Sequence, residues 1–300
     1  MKDAQTIREF APAKLNLYLH VTGRRGDGYH DLDSLVAFAS VGDEIILKPA
    51  SAFSFAVIGP QAAALAHEDV EGNLAVKAAR SLAALVGRDL DVALTLTKNL
   101  PVASGIGGGS SDAAAALRAL ARYWQLPPDD PRIEKAAALH GQDVPVCLNT
   151  DNNVYMTASG TMPAPRLPRA DIVLVNPNKG LPTPAVYQEY RRGGDAFSPL
   201  SHLSSTPAGV PELADALKLR SNDLYAPACR LMPEIGDIVT AIAATPGCLL
   251  ARMSGSGATC FGIYADAASA GAAAAQLRAA NPDWWCEAGI VNEAAPIVAG

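Results

Sequence analysis

The sequence predicts an α+β protein of two domains, and three observations lead there. The chain has 300 residues, long for one compact domain and comfortable for two. Strand-like and helix-like apolar patterns occur together in both halves instead of segregating. Between the halves, residues 162–170 (MPAPRLPRA) concentrate three prolines, the composition of a linker or hinge. The expected domains are therefore residues 1–162 and 163–300.

Taken in order, residues 12–22 set Leu15, Leu17 and Leu19 against Asn16, Tyr18 and His20, a strand with one buried face. GRRGDGYHD at 23–31 is a turn-rich loop. Strands are expected at 35–39 and 43–47, a helix at 73–86 and a strand at 92–97. Residues 101–123 begin as a glycine-rich loop and continue as an alanine-rich helix, with Ser110, Ser111 and Asp112 suited to its cap and first turn. A second helix fits 133–140. Pro145, in GQDVPVCL, suits a loop or strand start better than a helix interior. In the second half, a strand at 171–175 leads to a long Gly/Ser/Pro-rich loop at 191–210. Helices at 211–219, 224–230 and 234–243 follow, then strand, glycine turn and strand over 249–264, a helix at 265–280 and a last strand at 285–291. Trp284 and Trp285 are expected in the core, because aromatic side chains bury large areas.

Composition excludes several classes. Hydrophobic residues make up 49% of the chain and charged residues 18%, which is a globular protein and not a disordered one. A formal charge of -6 argues against a nucleic-acid binder held by a basic face. Cys147, Cys229, Cys248, Cys260 and Cys286 are odd in number and widely spaced, so neither a disulfide framework nor a zinc site is expected. Residues 1–10 hold no apolar signal core, and the alanine-rich stretch 267–280 is broken by Gln276 and Arg278. The expectation is a soluble cytoplasmic protein, monomer or homodimer, whose partner is a small molecule, with no nucleic acid and no membrane.

Four short segments carry chemistry. Gly105, Gly107, Gly108 and Gly109, with Ser110 and Ser111, open directly into a helix. Glycines let backbone N–H groups approach an anion, and a helix start adds unpaired N–H groups and a positive dipole end, so this is a polyphosphate site. It is neither a Walker A loop, for want of G-x-x-x-x-G-K-[ST], nor a dinucleotide fingerprint, whose third glycine falls at Ser110. Lys14 and Asn16 share one face of the first strand. Alone, such a lysine is usually solvated; beside a reacting phosphate it would stabilise developing charge. Asp143 reads either as a loop or cap aspartate or as a general base. MSGSGAT at 253–259 reads either as a β-turn or as a wall of the phosphate site.

These pieces and their order resemble the superfamily of galactokinase, homoserine kinase, mevalonate kinase and phosphomevalonate kinase, the GHMP kinases, over nearly the whole chain. PAKLNLYLHVTGRRGDGYHDLDSLV, GQDVPVCL, NPNKGLPTPAVY and SNDL resemble, within it, the diphosphocytidyl-methylerythritol kinase family. The resemblance implies an N-terminal domain with a left-handed βαβ unit, a ferredoxin-like C-terminal domain and an active site in the cleft between them. It implies ATP and Mg²⁺, and a substrate bearing a cytidine diphosphate group. By the same resemblance Asp143 is the catalytic aspartate and Lys14 its partner, while Asn16 lies near the accepting end of the substrate. Tyr29 and His30 hold the cytosine, Tyr187 lies on the other face of that base, and Asn73 and Lys98 lie near the adenosine. Two departures stand out: Ala103 where relatives have glycine, and Gln142 where alanine is more usual.

Other readings stay open at this point. Another kinase of the superfamily would act on homoserine, mevalonate or a sugar, although the DGYH element argues for a cytosine. A nucleotide-binding regulatory protein without catalysis would not need both Lys14 and Asp143. A dehydrogenase fails on the glycine spacing.

Overall fold

The structure, a computed structural model, describes residues 6–194 and 196–292. Residues 1–5 of the N-terminal segment and residue 195 of the long loop lie outside the described residues. The chain opens with two long antiparallel strands, β1 (Ile7–Arg24) and β2 (His30–Pro49), with Ile7 opposite Leu47 and Arg24 opposite His30. The two strands expected at 35–39 and 43–47 are one. β1 runs along β2, which also pairs with β5 (Val154–Thr157) at residues 34–36, with β10 (Trp285–Val291) at Ala39 and with β4 (Val92–Thr97) at residues 44–49. β1 also departs from the one-faced pattern. Residues 11–21 are buried without a break, because this strand lies between the two halves and both its faces are covered.

β3 (Ser54–Ile58) pairs with β4 in parallel, and α1 (Leu74–Val86) forms the crossover between them. The Ala75 N–H donates to Asn73 Oδ1 at 2.9 Å, capping α1, and Gly87 closes it in the left-handed conformation. α2 (Gly108–Tyr123) packs between α1 and the strands β1 and β2, and the short side chains of Ala113, Ala114, Ala115, Ala116 and Ala119, all buried, let its backbone approach these neighbours. α3 (Pro131–Ala138) follows, then the single turn α4 (Asp143–Val146), where no helix was expected. Pro145 is tolerated there because it is the third residue, whose N–H would lack a helical partner in any case.

After the β5–β6 hairpin (β6, Gly160–Pro163) the pairing changes. β7 (Ala170–Asn176), β8 (Cys248–Met253), β9 (Cys260–Tyr264) and β10 form the order β10-β7-β9-β8, with every neighbouring pair antiparallel. α5 (Thr183–Arg192), α6 (Val210–Lys218), α7 (Tyr225–Leu231) and α8 (Glu234–Ala243) lie between β7 and β8, and α9 (Ala267–Ala280) between β9 and β10. This is the ferredoxin-like arrangement. α5 is absent from the sequence pattern because Pro182 and Pro184 look like a turn; they are its cap and its second residue, where a missing N–H costs no helical bond. Trp284 and Trp285 are half-buried and not in the core, each packed against a different apolar cluster at the open end of β10. Among the described residues no helix is long and apolar enough to cross a membrane.

Candidate active site

Lys14 and Asn16 sit on β1 with a register shift on either side, between Pro12 and Lys14 and between Asn16 and Tyr18. Such irregularities re-aim side chains. Both residues are 3% exposed. Lys14 Nζ donates to Asp143 Oδ1 at 3.0 Å and lies 3.5 Å from Asn16 Oδ1. Asp143, the first residue of α4, keeps 41% of its side chain exposed against 4% for Lys14. The pair thus has a sunken cation and an open carboxylate face. Ser34, which sequence patterns did not single out, orients the amide. Its Oγ donates its one hydrogen to Tyr18 O at 2.5 Å, so it can only accept from Asn16 Nδ2, at 2.7 Å. Asn16 Oδ1 is left pointing at Lys14.

The glycine loop is tied to the same strand, since the Lys14 N–H donates to Ile106 O at 2.8 Å. Gly107 caps α2 with φ +64°, and a Cβ there would stand 3.0 Å from Lys14 Cβ. The helix therefore starts at Gly108, two residues before Ser110. Its first rung is the Ser111 N–H to Gly107 O at 2.8 Å, so the amides of Gly108, Gly109 and Ser110 have no carbonyl within the helix and face outward as an anion cradle. Ser110 lines the cleft. Ser111 does not: it is fully buried, and its Oγ has no hydrogen-bond partner. The expectation that both serines belong to the phosphate loop is thus corrected for the Ser111 side chain, because the fourth residue of the helix has already turned inward.

The turn at 254–259 is both brace and wall. Ser254 Oγ accepts from the Asn16 N–H at 3.0 Å and donates to Gly105 O at 3.2 Å, and the Thr259 N–H donates to Ser104 O at 2.9 Å. A Cβ on Gly105 would meet Gly257 N and O at 2.6 Å, so only glycine fits this backbone contact. Gly255 and Ser256 line the cleft. Ala103 takes φ +50°, the left-handed region that favours glycine, and its carbonyl accepts from the Leu181 N–H at 3.0 Å. Gln142 is exposed and makes no side-chain cap to α4.

Lys98 lines the cleft with Asn73, the two residues expected near the adenosine. Its ammonium, 3% exposed, is held by Asp43 Oδ2 at 2.5 Å and Asp112 Oδ2 at 2.8 Å. A side chain so engaged also braces the loop: a Cβ on Gly108 would lie 3.2 Å from Lys98 Nζ. Asp43 also accepts from the N–H groups of Asn99 and Leu100. Burial alone would lower the Lys98 pKa, but the charges of Asp112 and Asp43 outweigh it and raise it. Asp112 is pushed up to about 8 by burial, against the opposing pull of Lys98. Expected in the cap region, Asp112 lies on the buried face of α2. Asn73 lines the cleft, with its Oδ1 committed to capping α1.

The three expected cytosine contacts are not brought together as a slot. Tyr29 is 68% exposed at the β1–β2 turn, whereas His30 stacks directly on Tyr187, with ring centroids 5.0 Å apart and planes 20° from parallel. Neither Tyr29 nor His30 lines the cleft; Tyr187 does. Burial first, then the charge of Asp143, pushes the Tyr187 hydroxyl upward.

Lys14, Asn16, Asp143, Ser110 and Tyr187 face one cavity of about 510 Å³ between the two halves. Residues 73–150 match the GHMP kinases N terminal domain and residues 209–283 the GHMP kinases C terminal domain. The 4-diphosphocytidyl-2-C-methyl-D-erythritol kinase of Rhodospirillum rubrum is 50% identical over 95% of this chain and 92% of its own length. The chain belongs to the 4-diphosphocytidyl-2-C-methyl-D-erythritol kinase family. A second member, from Paramagnetospirillum magneticum, is also 50% identical, over 92% of this chain and 95% of its own. A crystal structure of a 4-(cytidine 5'-diphospho)-2C-methyl-D-erythritol kinase superposes with a TM-score of 0.77 at 32% identity, covering 96% of this chain and all of that one. A homoserine kinase from Cytophaga hutchinsonii, with a TM-score of 0.70 at 15% identity over 97% of this chain and 95% of its own, shares the fold.

Proposed function

We propose that this member of the family transfers the γ-phosphoryl of ATP to the 2-hydroxyl of 4-diphosphocytidyl-2-C-methyl-D-erythritol, in the non-mevalonate route to isoprenoid precursors. The observation that carries the reading is the Lys14–Asp143 pair, whose open carboxylate faces the same cleft as the amides of Gly108, Gly109 and Ser110. ATP sets its β- and γ-phosphates on those amides at the start of α2. Among the described residues no cluster of three or more His, Cys, Asp or Glu side chains is placed to hold a metal ion. Mg²⁺ would arrive with the nucleotide on its phosphate oxygens and neutralise charge there, with the Ser110 hydroxyl the oxygen donor the loop offers.

Asp143 accepts or orients the proton of the attacking hydroxyl. Lys14 holds the Asp143 carboxylate in place and steadies charge on the transferring group. Because phosphoryl transfer has a loose transition state, positioning and electrostatics matter more than full deprotonation. Asn16 Oδ1 borders the accepting hydroxyl. Tyr29, His30 and Tyr187 recognise the cytosine, which requires His30 to leave the face of Tyr187. We take residues 1–162 and 163–300 as the domains, because sheet pairing changes between Pro163 and Ala170. The enzyme is placed in the cytoplasm, as monomer or homodimer, where its five free thiols stay reduced.

The deciding assay is ADP release with ATP, Mg²⁺ and 4-diphosphocytidyl-2-C-methyl-D-erythritol, run beside homoserine and mevalonate. Turnover with the cytidyl substrate alone is expected. Turnover with homoserine or mevalonate instead would discard the cytosine roles, and ATP binding without turnover on any of the three would discard the catalytic reading.

A further inference from the structure

The two members of the catalytic pair sit on elements that do not touch each other through a sheet or a long helix. Lys14 is on β1. Asp143 begins α4, a single four-residue turn. One turn of helix does not hold itself, since nucleation fixes several residues for one hydrogen bond. Val144 and Val146 are buried, and α4 packs on α2 and α3. Pro145 and Leu148 border a second cavity of about 880 Å³, which Arg118 also lines.

One side chain ties the end of α4 to β1. Arg118, on α2, donates from Nη1 to Cys147 O at 2.8 Å and from Nη2 to Phe10 O at 2.7 Å. Its Nε donates to Glu9 Oε2 at 3.1 Å. Cys147 caps α4 and lies four residues after Asp143; Phe10 lies on β1, four residues before Lys14. The same guanidinium therefore grips both catalytic elements at equal chain distance from the reacting pair. It does so from the helix whose start forms the phosphate cradle, ten residues and about 15 Å along the axis from Gly108. Glu9 keeps the fork from turning, and Arg122 Nη1 donates to the other oxygen of that carboxylate at 2.7 Å. Only a planar fork reaches three acceptors in this way; an ammonium cannot.

We propose that Arg118 is a positioning residue for phosphoryl transfer: by tying the end of α4 to β1 it sets the geometry of Asp143 against Lys14. The inference rests on the function proposed above. Arg118 borders neither the phosphate cradle nor Tyr187, so its loss should spare ground-state binding and act on the chemical step.

The test measures kcat and both KM values for Arg118→Ala and Arg118→Lys, alone and in an Asp143→Asn background. The expected result is a fall in kcat on the order of 10- to 100-fold, as for a misplacement near 1 Å, with KM for ATP and for the cytidyl substrate unchanged. In the Asp143→Asn background Arg118→Ala should cost little more, because residues acting through one another are not additive. Guanidinium ion at millimolar concentration should restore part of kcat to Arg118→Ala, since the second cavity admits solvent to the vacated place. Wild-type kcat in both variants, a rise confined to KM, or a full additional loss in the Asp143→Asn background would overturn the proposal. If Arg118→Ala does not fold, Arg118→Lys carries the same cycle and decides it. An inactive wild type would instead refute the substrate assignment and leave the two failures distinguishable.

Discussion

Two lysines of this molecule are equally sunken, each 3% exposed, each meets aspartate and both line the cleft, yet the carboxylates they meet differ. Lys98 is closed in by Asp43 and Asp112, whose side chains are 0% and 4% exposed. Lys14 has a single aspartate, and 41% of that side chain is open. The closed cluster spends its charge on itself and fixes β2, β4 and the start of α2 to one another. The open pair has charge and lone pairs to spare for a ligand. What separates scaffold from chemistry here is the exposure of the carboxylate, not the identity of the residues or the depth of the cation.

The comparison can be broken most sharply at Asp143. Asp143→Asn should lower kcat on the order of 10²–10⁴-fold, the usual contribution of a general base, while the thermal midpoint stays close to wild type. Near wild-type turnover in steady-state assays would remove the distinction altogether. Lys98→Met should do the reverse. It leaves the buried Asp43 and Asp112 without their cation and should cost about 3–5 kcal/mol of stability in urea unfolding, as for other broken buried pairs. A stable Lys98→Met protein with lost activity would make Lys98 a participant and not a brace.

The smallest effect concerns pH. Asp112 titrates at about 8 when folded, against 3.8 for an ordinary aspartate. Between those values the folded protein holds a proton that the unfolded chain has released, so this group's contribution to stability falls as pH rises through the window. Asp112→Asn should therefore flatten the decline of unfolding free energy between about pH 5 and pH 8. Parallel profiles for the two proteins would show that Asp112 is ionised in the fold.

The balance between what sequence patterns reveal and what they hide follows from the range of the interactions. Period-two spacing placed Lys14 and Asn16 on one face, and the structure sets their side chains 3.5 Å apart. The glycine run marked the anion cradle, but the helix starts two residues early because glycine at 108 and 109 disguises helical positions. Nothing local connects Asp143 with Lys14, 129 positions away, and only the family resemblance joined them. The engagement of Lys98 was hidden for the same reason: its partner Asp43 is 55 positions away on another strand. Ser34 and Ser254 carry no pattern, since a lone hydroxyl acquires meaning only from what folding places beside it. The resemblance supplied three cytosine contacts, whereas the fold separates exposed Tyr29 from the stacked His30 and Tyr187.

The bond between the Asn16 N–H and Ser254 Oγ spans 238 positions, and that between Ser254 and Gly105 spans 149. Contacts of such separation are entropically expensive to close and form late. A growing chain thus carries Lys14, Asp143 and the whole glycine loop long before the β8–β9 turn exists to brace them. Turnover is consequently a clock for the last docking event of folding: half a chain is not half an enzyme.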